Sequence, residues 1–168
     1  MKTFLVIMIV LLLIIGFFLW YISVQKNIST NIKLIDIEIS GITVKGQKYY
    51  IKDKVIITLY YEVSNPSGEA TSVRIEKVEI FADVVYIGNF TVNKDITLKR
   101  GEEFKIINVT VILDDKAAKN IAIKYLSSKI FGKTWLVKIK TYIKTTVNIL
   151  GIFKIQNLQT VSSIRLFP

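Results

Sequence analysis

Residues 55–63 read VIITLYYEV and residues 64–68 read SNPSG. In the first string Val55, Ile57, Leu59, Tyr61 and Val63 share one phase of a two-residue period, while Thr58, Tyr60 and Glu62 take the other. That alternation is the mark of a strand with one buried face. The second string ends it, because Pro66 has no N–H for a sheet ladder and Asn65, Ser67 and Gly68 supply turn conformations.

The same period recurs on both sides. Residues 32–39 (IKLIDIEI) alternate with a slip at Leu34–Ile35. From Val73 to Phe81 the apolar phase shifts after Ile75 to Val78 and Ile80, which predicts a bulge or a bend between two sheets. Val85-Tyr86-Ile87-Gly88 reads as the close of a hairpin whose return strand carries Phe90 and Val92. Residues 99–103 (KRGEE) form another turn before a strand from Phe104 to Leu113. The last long strand runs from Trp135 to Ile149, and residues 152–158 and 161–167 read as a final pair. One segment departs from this period. Asp114 or Asp115 is placed to cap a helix, Ala118, Ile121, Ala122, Tyr125, Leu126 and Ile130 recur at three- and four-residue spacing, and Gly132 suits the position after its end. Many short strands with one amphipathic helix predict an all-β fold, a two-layer sandwich with the helix crossing between strands.

The N-terminus has a different character. Phe4 to Val24 holds 19 apolar residues in 21 and no charge. At about 1.5 Å per residue the stretch matches a hydrocarbon core of about 30 Å. It runs past the apolar core of a secretory signal and ends in bulky Trp20, Tyr21 and Ile22 where cleavage would need small residues. Residues 1–24 therefore read as an N-terminal transmembrane signal anchor, 25–31 as a short linker and 32–168 as one domain. Without the span the chain is roughly 46% apolar, an ordinary value for a globular domain. The positive-inside count is close to a tie, yet the short stub before the span favours an extracytoplasmic domain. Three sequons, at Asn27, Asn89 and Asn108, mark possible glycosylation sites, against about one expected by chance.

The chain has no Cys and no His. This excludes disulfides, thiolate nucleophiles, imidazole bases and Cys or His metal sites. No cofactor, metal or catalytic residue is expected, and the chain does not read as an enzyme. Asp114–Asp115 suits a helix start and Glu102–Glu103 a solvated turn better than either suits acid–base chemistry. The formal charge is +10, nearly all of it beyond the span. Lys138, Lys140 and Lys144, interrupted by Tyr142, form a basic stripe. It reads first as a solvated strand face whose charges discourage edge pairing, and second as a contact surface for anionic lipid or envelope polymers near the membrane. Nucleic acid is the weaker partner for a tethered outer domain. The remaining partners are membrane lipid through residues 4–24 and client proteins.

Residues 57–115, ITLYYEVSNPSGEATSVRIEKVEIFADVVYIGNFTVNKDITLKRGEEFKIINVTVILDD, resemble the water-stress and hypersensitive-response (WHy) domain of type 2 late-embryogenesis-abundant (LEA) proteins. The matching features are a strand ending in Asn65-Pro66, a hairpin turn at Tyr86-Ile87-Gly88, a Leu98-to-Gly101 turn, the alternating strand Lys105 to Leu113, and then a helix and a closing hairpin. The resemblance covers about residues 32–167. It implies a fibronectin/immunoglobulin-like antiparallel β-sandwich of about seven strands with a helix between the fifth and sixth, often behind one membrane span. It also implies a stress-related, desiccation-linked protective or binding role with no catalytic residues. High Ile and Lys content and the absence of Cys depart from plant members and point to an archaeal source. The alternative reading is a structural cell-envelope or pilus-like subunit, although no processing site precedes the apolar run.

Overall fold

The structure is a computed structural model that describes residues 2–28, 32–65, 70–99, 101, 104–149 and 153–167. In chain order its elements are α1 (Lys2–Ile28), β1 (Ile32–Lys45), β2 (Lys48–Val63), β3 (Thr71–Ala82), β4 (Val85–Leu98), β5 (Lys105–Ile112), α2 (Asp115–Phe131), β6 (Trp135–Ile149) and β7 (Phe153–Phe167). Two antiparallel sheets face each other, one ordered β1-β2-β5 and the other β4-β3-β6-β7. This is a fibronectin-like sandwich in which α2 joins the fifth strand to the sixth.

Alternation builds the core. Val55, Ile57, Leu59, Tyr61 and Val63 of β2 are all fully buried and meet Val73, Ile75, Val78 and Ile80 of β3 and Val137, Ile139 and Ile143 of β6. The phase shift after Ile75 is a bulge. Ile75 pairs with Ile143 and Lys77 with the next residue of β6, Tyr142, so Glu76 is an extra residue in β3; on the other side Val92 and Asn93 of β4 oppose it, Asn93 with a positive φ of 50°. The slip in β1 is likewise real, falling between Leu34 and Asp36.

Helix α2 follows its punctuation. Asp114 is extended and accepts a hydrogen bond from the Ala117 N–H at 2.7 Å, while Gly132 is left-handed and its N–H reaches the Ser128 carbonyl. Ala117, Ala118 and Ile121 join the core, and Tyr125, Leu126 and Ile130 lie half-buried beyond them.

Three expectations are corrected. The hairpin does not turn at Tyr86-Ile87-Gly88. Ala82 pairs with Val85, so Asp83-Val84 is the whole connection, and Asp83 adopts the positive φ it needs. The Tyr86-Ile87-Gly88 segment instead holds a second bulge, since Ile80 pairs with Gly88 and Phe81 with Tyr86. Residues 153–167 are one strand along β6, not a pair of their own, because β6 is long enough to template all of it. Strands β1 and β2 also extend past the expected Ile39 and Val55 to a two-residue turn at Gly46-Gln47. Four residues of β2, from Lys52 to Val55, stand against Gly41 of β1. Gly41 has φ +85°, and a Cβ there would collide with the Lys54 carbonyl oxygen, so no other residue fits.

Helix α1 stands apart from this core. Its segment Phe4–Ser23 has a mean hydropathy of 3.0, with none of it buried within the protein, so it is long and apolar enough to cross a bilayer. It runs on to Ile28. Tyr21, two turns before the end of α1, packs against Val147 and Ile155 of β6 and β7.

Candidate interaction face

The outer face of the four-stranded sheet carries the basic stripe. Strand alternation turns Lys138, Lys140, Tyr142 and Lys144 of β6 outward, half-buried, while Val137, Ile139, Thr141, Ile143 and Thr145 point in. Pairing sets their neighbours: Lys138 lies between Phe81 and Ile164, Lys140 between Glu79 and Ser162, Tyr142 between Lys77 and Thr160, and Lys144 between Arg74 and Leu158. Because β6 lies between β3 and β7, these lysines guard no sheet edge, which corrects that part of the sequence reading.

The face is woven together by side-chain pairs. Lys77 Nζ sits 4.1 Å from the centre of the Tyr142 ring and 3.7 Å from Glu79 Oε1. Tyr142 hydrogen-bonds Glu79, which with some burial raises its pKa. Lys140 Nζ lies 5.4 Å from the Phe81 ring, which is itself tilted against Tyr86 at 5.3 Å between centroids. The result is a cationic and aromatic surface on the two central strands of the sheet. It has the chemistry to hold an extended polar or anionic partner.

The other singled-out residues scatter. Asn65 is buried, donates from Nδ2 to the Lys99 carbonyl at 2.9 Å and accepts from the Thr71 hydroxyl at 3.2 Å, so it ties the start of β3 to the end of β4. Pro66 and the pair Glu102–Glu103 lie outside the described residues. Asn89 and Asn108 are exposed on β4 and β5, and Asn108 also accepts from Lys94. Asn27 lies near the end of α1, and its side chain is outside the described residues.

One organising residue was not foreseen. Asp83, at the β3–β4 turn, accepts from the Leu136 N–H at 2.8 Å and from Lys124 of α2, while its own N–H donates to the Leu136 carbonyl at 2.7 Å. It joins the turn, the start of β6 and the helix. Its signal in sequence is an Asp in a two-residue link. The Leu136 N–H and then Lys124 hold its carboxyl below the usual 3.8. A depressed carboxylate stabilises the fold fully above the unfolded value and loses that contribution as pH falls through the folded one. Urea unfolding from neutral pH to below pH 3.8 is therefore expected to show an acid-side loss of stability that is smaller in Asp83→Asn. An unchanged slope in the variant contradicts this role.

No family model matches the chain, and no curated protein matches it in sequence. Solved structures do superpose on it. A protein of Arabidopsis thaliana does so with a TM-score of 0.45 at 10% identity, over 83% of this chain and 81% of that one. A protein from Archaeoglobus fulgidus gives 0.42 at 15% identity, over 81% of this chain and 98% of that one. A protein provisionally named as late embryogenesis abundant (LEA) gives 0.36 at 16% identity, over 91% and 78%.

Proposed function

We propose that the chain is a non-enzymatic, membrane-anchored module with residues 1–24 as anchor and 32–168 as an extracytoplasmic LEA type 2-like domain that binds and protects other macromolecules under stress such as desiccation. The observation that carries this is the pairing of an uncovered apolar helix with a domain whose most distinctive surface is a cationic and aromatic sheet face. The sequence resemblance over about residues 32–167 supplies the stress-protective part. The titratable groups with resolved shifts, among them Tyr60 against Glu38 and Asp83 against Leu136, do structural work at strand and turn contacts.

The test dries a labile client enzyme with liposomes that carry the full chain and with empty liposomes. Several-fold greater recovery of client activity with the chain is expected, and equal recovery for several clients removes the protective role. Sidedness is read by protease treatment of intact cells that express the chain with a C-terminal tag. Loss of the tag supports the outward placement, and its protection places the domain in the cytoplasm.

A further inference from the structure

The end of the four-stranded sheet nearest α1 carries a second, distinct feature. A groove of about 350 Å³ opens on its outer face, lined by Arg74, Lys144 and Lys154 with Thr146 and Gln156 between them and Asp95 at one side. Three cations thus face one carboxylate. Arg74 meets Asp95 at 3.8 Å with both side chains well exposed, and Lys144 and Lys154 form no ion pair with any carboxylate among the described residues. Lys138 and Lys140 of the same face likewise form no ion pair among the described residues, so what sets this place apart is the convergence of three cations on one groove.

The height of this groove follows from the helix contact. Tyr21, two residues before the end of the apolar segment Phe4–Ser23, packs on the paired residues Val147 and Ile155. Thr146, Gln156 and Lys154 are the immediate chain neighbours of that pair. Lys144 and its partner Arg74 lie three residues farther from the hairpin, about 10 Å along the strand. A headgroup layer adds about 5–7 Å on each side of the hydrocarbon, and long Lys and Arg side chains reach several more. The groove therefore lies where phosphates of the adjoining leaflet would be, with cations for their charge and neutral donors for their oxygens.

We propose that Arg74, Lys144 and Lys154 form a binding site for the phosphate of an anionic glycerophospholipid in the leaflet that α1 enters. The site rests on α1 lying in a bilayer and holds for either orientation of the chain. It orients the sandwich on the membrane and leaves the Lys138–Tyr142 part of the face free for a partner.

The test uses the full chain in detergent, incubated with equal amounts of phosphatidylglycerol and phosphatidylcholine and read by native mass spectrometry. The wild-type chain is expected to retain the anionic lipid at least five-fold over the neutral one. Arg74→Gln is expected to lose about five-fold of that preference, and Lys144→Gln with Lys154→Gln to leave none. Lys48→Gln with Lys52→Gln, exposed at the opposite end of the sandwich, should leave it intact. Equal retention of the two lipids by wild type, or a preference that survives in both groove variants with unchanged circular dichroism, overturns the proposal. Inorganic phosphate that raises the unfolding temperature without any lipid preference also overturns it, as a site for free anions. Alkaline extraction from membranes reports on α1 independently, so failure of the anchor and failure of the groove are told apart.

Discussion

Tyr61→Ala is expected to destabilise the domain by about 3–5 kcal/mol, and Tyr61→Phe by about 1–3 kcal/mol. Tyr61 is the largest fully buried side chain of the core and projects from β2 in one sheet to β6 in the other. Its hydroxyl and the Thr141 hydroxyl are 2.6 Å apart, a polar bridge between the two sheets. Truncation to Ala loses the ring and opens a cavity between the sheets. Removal of the hydroxyl alone leaves Thr141 Oγ1 buried without its partner, so most of the Phe penalty should be recovered in Tyr61→Phe with Thr141→Val, where neither polar group remains. Burial pushes the Tyr61 pKa up to about 12. The folded state therefore holds a proton that the unfolded state releases near pH 10, and stability present below pH 10 is lost as pH rises towards 12. Urea unfolding of the full chain in detergent, followed by Trp fluorescence, reads each arm. A Phe variant as stable as wild type, with the same alkaline slope, would refute the bridge.

Much of this architecture is legible because two-residue alternation leaves little freedom. VIITLYYEV at 55–63 can bury Val55, Leu59 and Tyr61 only as a strand, and the Asp114 cap, the Ile121 stripe and Gly132 can be satisfied together only by a helix. The shift after Ile75 betrays its bulge, since a core that stays apolar while its phase changes must contain an extra residue. What fails is turn placement. Tyr86-Ile87-Gly88 has a glycine and Asp83-Val84 does not, so local turn chemistry points to the wrong link. The decisive fact is non-local: Asp83 is held in its positive φ by Leu136 and Lys124, more than forty residues away. The same reason hides the setting of the Lys138–Lys144 stripe. Alternation shows which face the lysines take, but that β6 lies between β3 and β7, and that Glu79, Lys77 and Phe81 stand beside them, is decided by strand order.

Lysines placed in the middle of α1 are expected to detach the chain from the membrane. Fifteen of the twenty residues in Phe4–Ser23 are Leu, Ile, Phe or Val. At about −0.3 to −0.6 kcal/mol each near the helix centre they favour insertion by about 5–9 kcal/mol, whereas one central Lys costs about 2.5–3.5 kcal/mol. One substitution is therefore tolerated, and two on the same face, Leu11→Lys with Ile15→Lys, offset most of the driving force. Both positions are exposed, at 56% and 47%, and touch nothing in the sandwich core, so the domain should keep its fold and its unfolding temperature. Wild type and Leu11→Lys are expected in the pellet after alkaline carbonate extraction, with the double variant largely in the supernatant. A wild-type chain that extracts freely contradicts the anchor. A double variant that stays in the pellet contradicts the insertion arithmetic, because alkaline carbonate strips ionic surface attachments such as the groove of Arg74, Lys144 and Lys154. Flotation with liposomes at neutral pH separates the two attachments: the double variant is expected to be largely lost from neutral liposomes, where a cationic groove has no net charge to hold, and to be retained on anionic ones through the groove.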